Sequence, residues 1–369
     1  MKPDHKFIGL DHLRALAISL VFIYHYTIFQ HPDWMNNRFV HFGWCGVDLF
    51  FVLSGFLISN QLFSEWQKHN RIGFGVFYLK RAFRILPPYF FVLLIYIFVP
   101  AFHERERLAP LWKMFTFTQN YDQNIRVFGT FSHAWSLCVE EQFYLLLPPL
   151  LVLIFSSGLK RKAPWVIPGI LLLTLILRCI TWNIYLQPVL DSDDFGMNWY
   201  KMIYYPTYTR LDGLITGVGI AAVYRFREYW LSPFNKYANR LIIAGGFIFT
   251  ISLYLCKDQQ SYGATIFGFS LIATAFGCFV LSAIMPGSYL FRVKSVITKN
   301  LATLSYSLYL SHKGIIHLTQ KWLTEIGLRG NSNWMFLICI VACIGGALLM
   351  RILIEKPFFR LRNKLLAIA

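Results

Sequence analysis

Charged residues are scarce in this sequence, and no long polar segment interrupts it. Of the 369 residues, 14% are charged and 56% are hydrophobic, and the mean hydropathy is +0.48. A soluble domain carries about a quarter charged residues, so this composition excludes an ordinary soluble globular protein. Because no polar stretch is long enough for a second unit, we expect residues 1–369 to form a single membrane domain with no appended soluble domain.

The sequence also lacks the signatures of several other protein classes. None of the seven cysteines belongs to a CxxC pair and no HExxH occurs, so we expect buried apolar cysteines and no metal site. No internal repeat of the type common in transporters is visible. The first apolar stretch contains Asp11 and Arg14 and has no small-residue cleavage site, which favours a retained first helix over a removed signal peptide.

The abundant residues are apolar and aromatic, and they group into segments long enough to cross a bilayer. Aromatics make up 18% of the chain, and Tyr and Trp suit the membrane–water interfaces. The sequence therefore predicts an all-α, polytopic transmembrane bundle of about ten helices. Pro87 and Pro88 lie at the start of the third predicted helix and could break it. The predicted spans are 8–29, 43–63, 85–101, 137–155, 165–186, 204–224, 240–256, 264–285, 299–317 and 334–354.

The net charge of +17 is concentrated in the connections between these spans. With the N-terminus inside, the inner connections contain 20 Lys and Arg and the outer ones contain nine. This imbalance predicts cytoplasmic N- and C-termini in a multi-pass protein of the plasma (bacterial inner) membrane. The same distribution indicates contact with anionic membrane lipids and argues against nucleic acid as a partner.

Two polar residues lie on one face of the first predicted helix. Arg14 and His25 are eleven residues apart, close to three full turns, and therefore roughly 16 Å apart along the axis. Asp48, near the outer end of the second helix, falls at the depth of His25. A carboxylate bonded to one imidazole nitrogen makes the other a better base. We therefore expect an Asp48–His25 dyad that acts as a general base, although His25 could instead cap a helix and Asp48 could pair elsewhere.

Further polar residues fall in the outer half of the predicted spans. Each could be a structural ion pair or a helix-packing hydrogen bond, but their gathering in one leaflet predicts a polar chamber that opens outward and holds a sugar. The residues are Trp135, Glu140, Glu141, Arg210, Asp212, Tyr309 and His312.

The predicted inner face has a different chemistry. Arg81 and Arg84 are three residues apart and share a helical face, which suits a phosphate or diphosphate. The alternative for this pair is a simple positive-inside anchor.

Seven segments resemble, in their order along the chain, the motifs of the acyltransferase-3 family of membrane acyltransferases. The resemblance covers nearly the whole chain. The matches include the Arg14–His25 spacing, Ser54-Gly55-Phe56 and the Arg-x-x-Arg motif of Arg81 and Arg84. The segments are LDHLRALAISLVFIYH (10–25), GVDLFFVLSGFLIS (46–59), LKRAFRILPPY (79–89), HAWSLCVEEQFYLLLP (133–148), TRLDGLITG (209–217), LSYSLYLSH (304–312) and IEKPFFRLR (354–362).

The resemblance implies an acyl-CoA donor, such as acetyl-CoA, at the cytoplasmic side. It implies acceptor hydroxyls on cell-envelope glycans, for example lipopolysaccharide O-antigen, exopolysaccharide or peptidoglycan, some of them lipid-linked. It also implies that His25 is catalytic and that Arg14, Arg81 and Arg84 are important for activity. We expect these three arginines to bind the acyl-CoA donor. Ser54, Tyr309 or Arg210 could stabilise the oxyanion.

Several alternatives remain open from the sequence. Transfer could be direct, or it could pass through an acyl-histidine. The acyl group, the acceptor, the oligomeric state and the need for a separate partner protein are open as well. A proton-coupled transporter of an anionic solute is the competing function, because such carriers also place ionisable residues within the membrane.

Overall fold

The computed structural model describes residues 7–157 and 163–368. Throughout these ranges the secondary structure is helical, without a β-strand. Residues 1–6 and 158–162, which contain part of the basic inner connections predicted above, lie outside the described residues. The α-helices are α1 (Ile8–Tyr26), α2 (Arg38–His41), α3 (Gly46–His69), α4 (Phe74–Phe98), α5 (Leu111–Phe115), α6 (Trp135–Ser156), α7 (Ala163–Thr181), α8 (Phe195–Trp199), α9 (Asp212–Phe226), α10 (Glu228–Leu231), α11 (Ala238–Leu255), α12 (Phe269–Ala283), α13 (Tyr289–Arg292), α14 (Val296–Glu325), α15 (Asn333–Met350) and α16 (Lys356–Ile368).

Eight helical stretches of the described chain are long and apolar enough to cross a membrane. The all-α, multi-pass membrane fold predicted from the sequence is thereby confirmed. The eight stretches are Ile8–Tyr26, Arg38–His69, Phe74–Phe98, Ser132–Ser156, Trp165–Val189, Asn235–Leu255, Ala264–Ala283 and Asn333–Ala367.

Two of the ten predicted spans form helices that differ from a simple apolar span. In the span 204–224, α9 has only 15 residues, because a π-helical turn (Tyr200–Tyr204) and a 3₁₀ turn (Thr207–Thr209) precede it. The span 299–317 belongs to α14, a 30-residue helix in which many positions are polar. Both helices are enclosed by others, α9 against α3 and α14 between α1 and α15, so neighbouring helices cover their polar groups.

Prolines do not break the spans that contain them. The helix α4 continues through Pro87 and Pro88, and α6 continues through a second Pro-Pro pair. Proline lacks an N–H, so the carbonyl four residues before it loses its helical donor. In α6 the carbonyl freed by Pro149 belongs to Leu145, and the hydroxyl of Tyr78 on a neighbouring helix donates to it at 2.8 Å. The break considered for the third span does not occur, because α4 runs unbroken through Pro87 and Pro88.

Glycines bring α3 and α9 close together. A Cβ added at Gly55 would lie 2.1 Å from the carbonyl oxygen of Leu214, and one at Gly217 would lie 2.3 Å from that of Val52. Small residues at a helix contact let the backbones approach closely in a membrane protein. This contact aligns the start of α3 with the start of α9. It therefore brings Asp48, near the start of α3, close to the residues that come just before α9.

Candidate active site

One polar cavity, here called the arginine cavity, lies between α1, α3, α4, α6 and α14. It encloses about 1060 Å³ of atom-free space, counted out to its opening. Three cations and one carboxylate line it, so its chemistry suits an anion. The predicted site residues that line it are Arg14, Ser54, Arg81, Arg84, Glu140 and Tyr309.

Arg81 retains unused donor capacity in this cavity. One Nη donates to Oε1 of Gln61 at 3.1 Å, and the guanidinium lies 5.8 Å from the ring centre of Tyr144. Its Nε is buried and has no hydrogen-bond partner among the described residues. Arg81 therefore keeps donor capacity beyond its bond to Gln61.

Glu140 is the carboxylate of the arginine cavity. Oε1 accepts a hydrogen bond from the Ser54 hydroxyl at 2.8 Å, and Oε2 accepts one from the Tyr144 hydroxyl at 3.0 Å. Glu140 was predicted to belong to an outward sugar chamber; the structure places it in the arginine cavity, more than one turn of α6 away from Trp135, which lines the other cavity described below.

The second cavity, here called the histidine cavity, lies at the other end of α1. It encloses about 1550 Å³ of atom-free space, also counted out to its opening. Much of its wall is aromatic, and the cavity therefore offers flat apolar faces close to polar groups. Its lining includes His25, His133, Trp135, Tyr204, Tyr205 and Tyr309.

The hydrogen bonds of His312 define the tautomer of His25. The Nδ1 of His312 lies 2.9 Å from the carbonyl oxygens of Leu308 and Tyr309, which only accept, so this nitrogen carries a proton. In neutral His312 the other nitrogen, Nε2, is then an acceptor, and it lies 2.7 Å from Nδ1 of His25. His25 therefore donates from Nδ1, which leaves its Nε2 unprotonated and without a partner among the described residues.

The predicted Asp48–His25 dyad is absent from the described residues, and this expectation is corrected. Oδ1 of Asp48 accepts a hydrogen bond from Nη2 of Arg210 at 2.7 Å. The reason is helix packing: α3 lies close along α9, whereas α1 packs most extensively against α14. His25 on α1 consequently meets His312 on α14, and Asp48 on α3 meets Arg210, two residues before the start of α9.

A second buried ion pair completes what we call the paired core. Oδ1 of Asp212 accepts hydrogen bonds from Arg178 at 2.9 Å and from the Ser270 hydroxyl at 2.5 Å. Arg178 is 0% exposed, and Arg210 is 1% exposed with its guanidinium 3.9 Å from the ring centre of Phe269. Arg210 and Asp212, which were predicted to bind substrate, line neither cavity.

The remaining predicted residues divide between the two cavities and the protein interior. Trp135 lines the histidine cavity, while one carboxylate oxygen of Glu141 is buried without a partner among the described residues, and Glu141 lines neither cavity. Of the three oxyanion candidates, Tyr309 lines both cavities, Ser54 lines the arginine cavity, and Arg210 lines neither.

Four charged or polar residues at this depth were not predicted from the sequence. Lys313 forms a buried ion pair with Glu104 at 3.0 Å, and the ring centre of His133 lies 5.2 Å from that of His312. His133 stands two residues before Trp135, and Arg178 lies within a predicted span. A charge inside an apolar run, and a histidine inside a conspicuous motif, were signals that could have identified them.

The fold and the ordered motifs are those of a family of multi-pass membrane proteins. The acyltransferase-3 model, described as an acyltransferase domain, matches residues 7–352, and the chain belongs to this family. A relative is the peptidoglycan O-acetyltransferase OatA of Listeria monocytogenes, which is 29% identical over 84% of this chain and 49% of its own length. Another is the O-acetyltransferase OatA of Staphylococcus aureus, 29% identical over 86% of this chain and 52% of its own length. The chain thus spans about half the length of these relatives. No solved structure matches it significantly.

Proposed function

We propose that this protein transfers an acyl group, acetyl in the simplest case, from acyl-CoA to a hydroxyl of a cell-envelope glycan. The observation that carries the proposal is the His312–His25 hydrogen bond, which leaves neutral His25, a residue that lines an open cavity, with an unprotonated Nε2. The names of the OatA relatives support an O-linked acetyl product and, for one of them, peptidoglycan as the acceptor.

The donor would occupy the arginine cavity. Arg14, Arg81 and Arg84 are the groups that would bind the phosphates of coenzyme A, because all three line this cavity. On this proposal the arginine cavity opens to the cytoplasm, where acyl-CoA is made, and the acyl end of the donor points along α1 towards His25.

The acceptor would occupy the histidine cavity. Tyr and Trp rings offer apolar faces on which the C–H face of a sugar ring packs, while their hydroxyl and indole groups bond its hydroxyls. The opening of this cavity would face the envelope side, where an exported or lipid-linked glycan would enter. Trp135, Tyr204 and Tyr205 are the residues that we expect to contact it.

The proposed reaction uses His25 as a base. Nε2 takes the proton of the acceptor hydroxyl, the hydroxyl oxygen attacks the thioester carbonyl, and the carbon–sulfur bond breaks. The coenzyme A thiolate leaves and recovers a proton from His25. If His25 instead accepts the acyl group first, the same nitrogen is the nucleophile, and the kinetics change from a ternary complex to ping-pong.

The test compares His25→Ala with His41→Ala, an exposed histidine outside both cavities. Membrane vesicles that contain the host's glycans receive radiolabelled acetyl-CoA, and both thiol release and labelled glycan are measured at matched protein levels. We expect His25→Ala to lose about 100-fold or more of both signals and His41→Ala to retain them. Equal activity in both variants would contradict the role of His25. Solute uptake without thiol release by the unmodified protein would instead favour the transporter.

His312→Gln sharpens the same test. A glutamine carbonyl can still accept a hydrogen bond from His25, but it holds the ring less firmly than an imidazole bonded to two carbonyls. We expect a smaller loss than for His25→Ala, of about tenfold, mainly in kcat and with an altered pH profile. An unchanged kcat and pH profile would show that His312 has only a packing role.

A further inference from the structure

The arginine cavity and the histidine cavity meet at one side chain. Tyr309 on α14 is the only described residue that lines both of them. Its side chain is buried, with 5% of its surface exposed. The residues around it divide between the cavities: Ser136 lines only the arginine cavity, and His133 lines only the histidine cavity.

Two hydrogen bonds hold Tyr309 in this place. Its hydroxyl donates to the backbone carbonyl of His133 at 2.6 Å, since a carbonyl can only accept. The single phenolic proton is then used, so the Ser136 hydroxyl, at 2.6 Å, donates to the tyrosine oxygen. The ring is flanked by Phe50, with ring centres 6.3 Å apart, and by His133 at 5.6 Å. Tyr309 is thereby tied across the gap between α14 and α6.

We propose that Tyr309 is the barrier between the two cavities, and that its side chain must turn away before an acyl group can pass from one to the other. This inference rests on the proposed function in assigning donor and acceptor to the two cavities, but the barrier itself follows from the geometry alone. With the barrier closed, water from the acceptor side does not reach the thioester. The barrier therefore protects the acyl donor from hydrolysis when no acceptor is bound.

Turning Tyr309 away breaks both of these hydrogen bonds. The sequence predicted Tyr309 as a substrate-binding residue because of its depth in the span. The structure adds that Tyr309 alone, among the described residues, is shared by the two cavities.

A thiol reporter tests the barrier without any need for activity. Leu57→Cys places a thiol on the wall of the arginine cavity, away from the histidine cavity. A membrane-impermeant thiol reagent is applied to oriented vesicles from the side on which the histidine cavity opens. The protein without Leu57→Cys measures the background from the native cysteines, of which only Cys179 and Cys278 are half-buried rather than buried.

Leu57→Cys alone should react at the background rate from that side. Adding Tyr309→Ala should raise the labelling rate about tenfold or more, because a shielded site reacts only as often as its barrier opens. Tyr309→Phe keeps the ring but loses both hydrogen bonds, so it should give an intermediate rate and serves as the second variant if Tyr309→Ala does not fold. Tyr306→Ala is the matched control, since Tyr306 lies one turn away on α14 and lines only the arginine cavity. It should leave labelling at background.

The outcomes separate the barrier from the proposed function. Background labelling in folded Tyr309→Ala or Tyr309→Phe, or fast labelling of Leu57→Cys alone, would overturn the barrier. If Tyr309→Ala raises the labelling rate as expected, it should also raise the release of thiol from acetyl-CoA in the absence of glycan. We expect a rise of about threefold or more, because water replaces the acceptor. A third outcome is faster labelling in Tyr309→Ala while no form of the protein consumes acyl-CoA. That outcome would support the barrier and contradict the acyltransferase assignment.

Discussion

The paired core and the arginine cavity both place arginines within the helical bundle, but they differ in what neutralises them. In the paired core each arginine contacts an aspartate within 2.9 Å, and all four side chains are at most 3% exposed. In the arginine cavity Arg81 bonds a neutral glutamine, and Arg14 lies 3.4 Å from Asp11. Arg84 has no hydrogen-bond partner or ion pair among the described residues.

This difference teaches how to distinguish structural from functional charges in a membrane protein. A charge that already has its counter-charge, away from any cavity, holds helices together. A charge that lines an open cavity can bind an anionic ligand. Sequence position alone does not separate the two, since Arg84 and Arg210 both belong to motifs of the same family.

The largest expected effect comes from breaking the paired core. Asp48→Asn leaves Arg210 buried without its counter-charge, which should cost about 3–5 kcal/mol of folding free energy. Membrane protein levels and the thermal melting of the purified protein measure this loss. The matched cavity variant, Arg84→Gln, should melt within a few degrees of the unmodified protein. A normal melting curve for Asp48→Asn, together with lost activity, would instead restore a catalytic role for Asp48.

The next effect should be a partial rescue of that variant. Combining Asp48→Asn with Arg210→Met removes both charges, and replacing a whole buried ion pair costs less than removing one partner. We expect the double variant to recover about 2 kcal/mol relative to Asp48→Asn. Arg210→Met alone provides the fourth corner of the cycle. Simple additivity of the two single losses would show that the two residues are not coupled.

The smallest effect should come from substitutions in the arginine cavity, and it should appear as weaker binding of acetyl-CoA. Arg81→Ala removes one donor for the phosphates of acyl-CoA, so KM for acetyl-CoA should rise about tenfold, which corresponds to about 1.4 kcal/mol. Lys80→Ala removes the same charge from the adjacent position, which does not line this cavity, and should leave KM within about twofold. A similar rise in both variants would indicate general attraction of the donor instead of a defined site.

Several features of the site were predictable because they depend on one helix at a time. The spacing of Arg14 and His25 predicts a shared face, and these residues line successive cavities along α1. Arg81 and Arg84, three residues apart, line the same cavity for the same reason. The partner of His25 was not predictable in this way, because Asp48 and His312 both fall at a suitable depth.

The sequence by itself determined the class of fold, the approximate spans and the motifs that carry the family, because hydrophobicity and helical periodicity are local properties of the chain. Only the tertiary structure decided which polar groups meet. Asp48 and Arg210 are 162 positions apart, and His25 and His312 are 287 apart. These pairings follow from the close packing of α3 on α9 through glycines and of α1 on α14. Such contacts depend on shape complementarity between helices, which the pattern within a single helix does not encode.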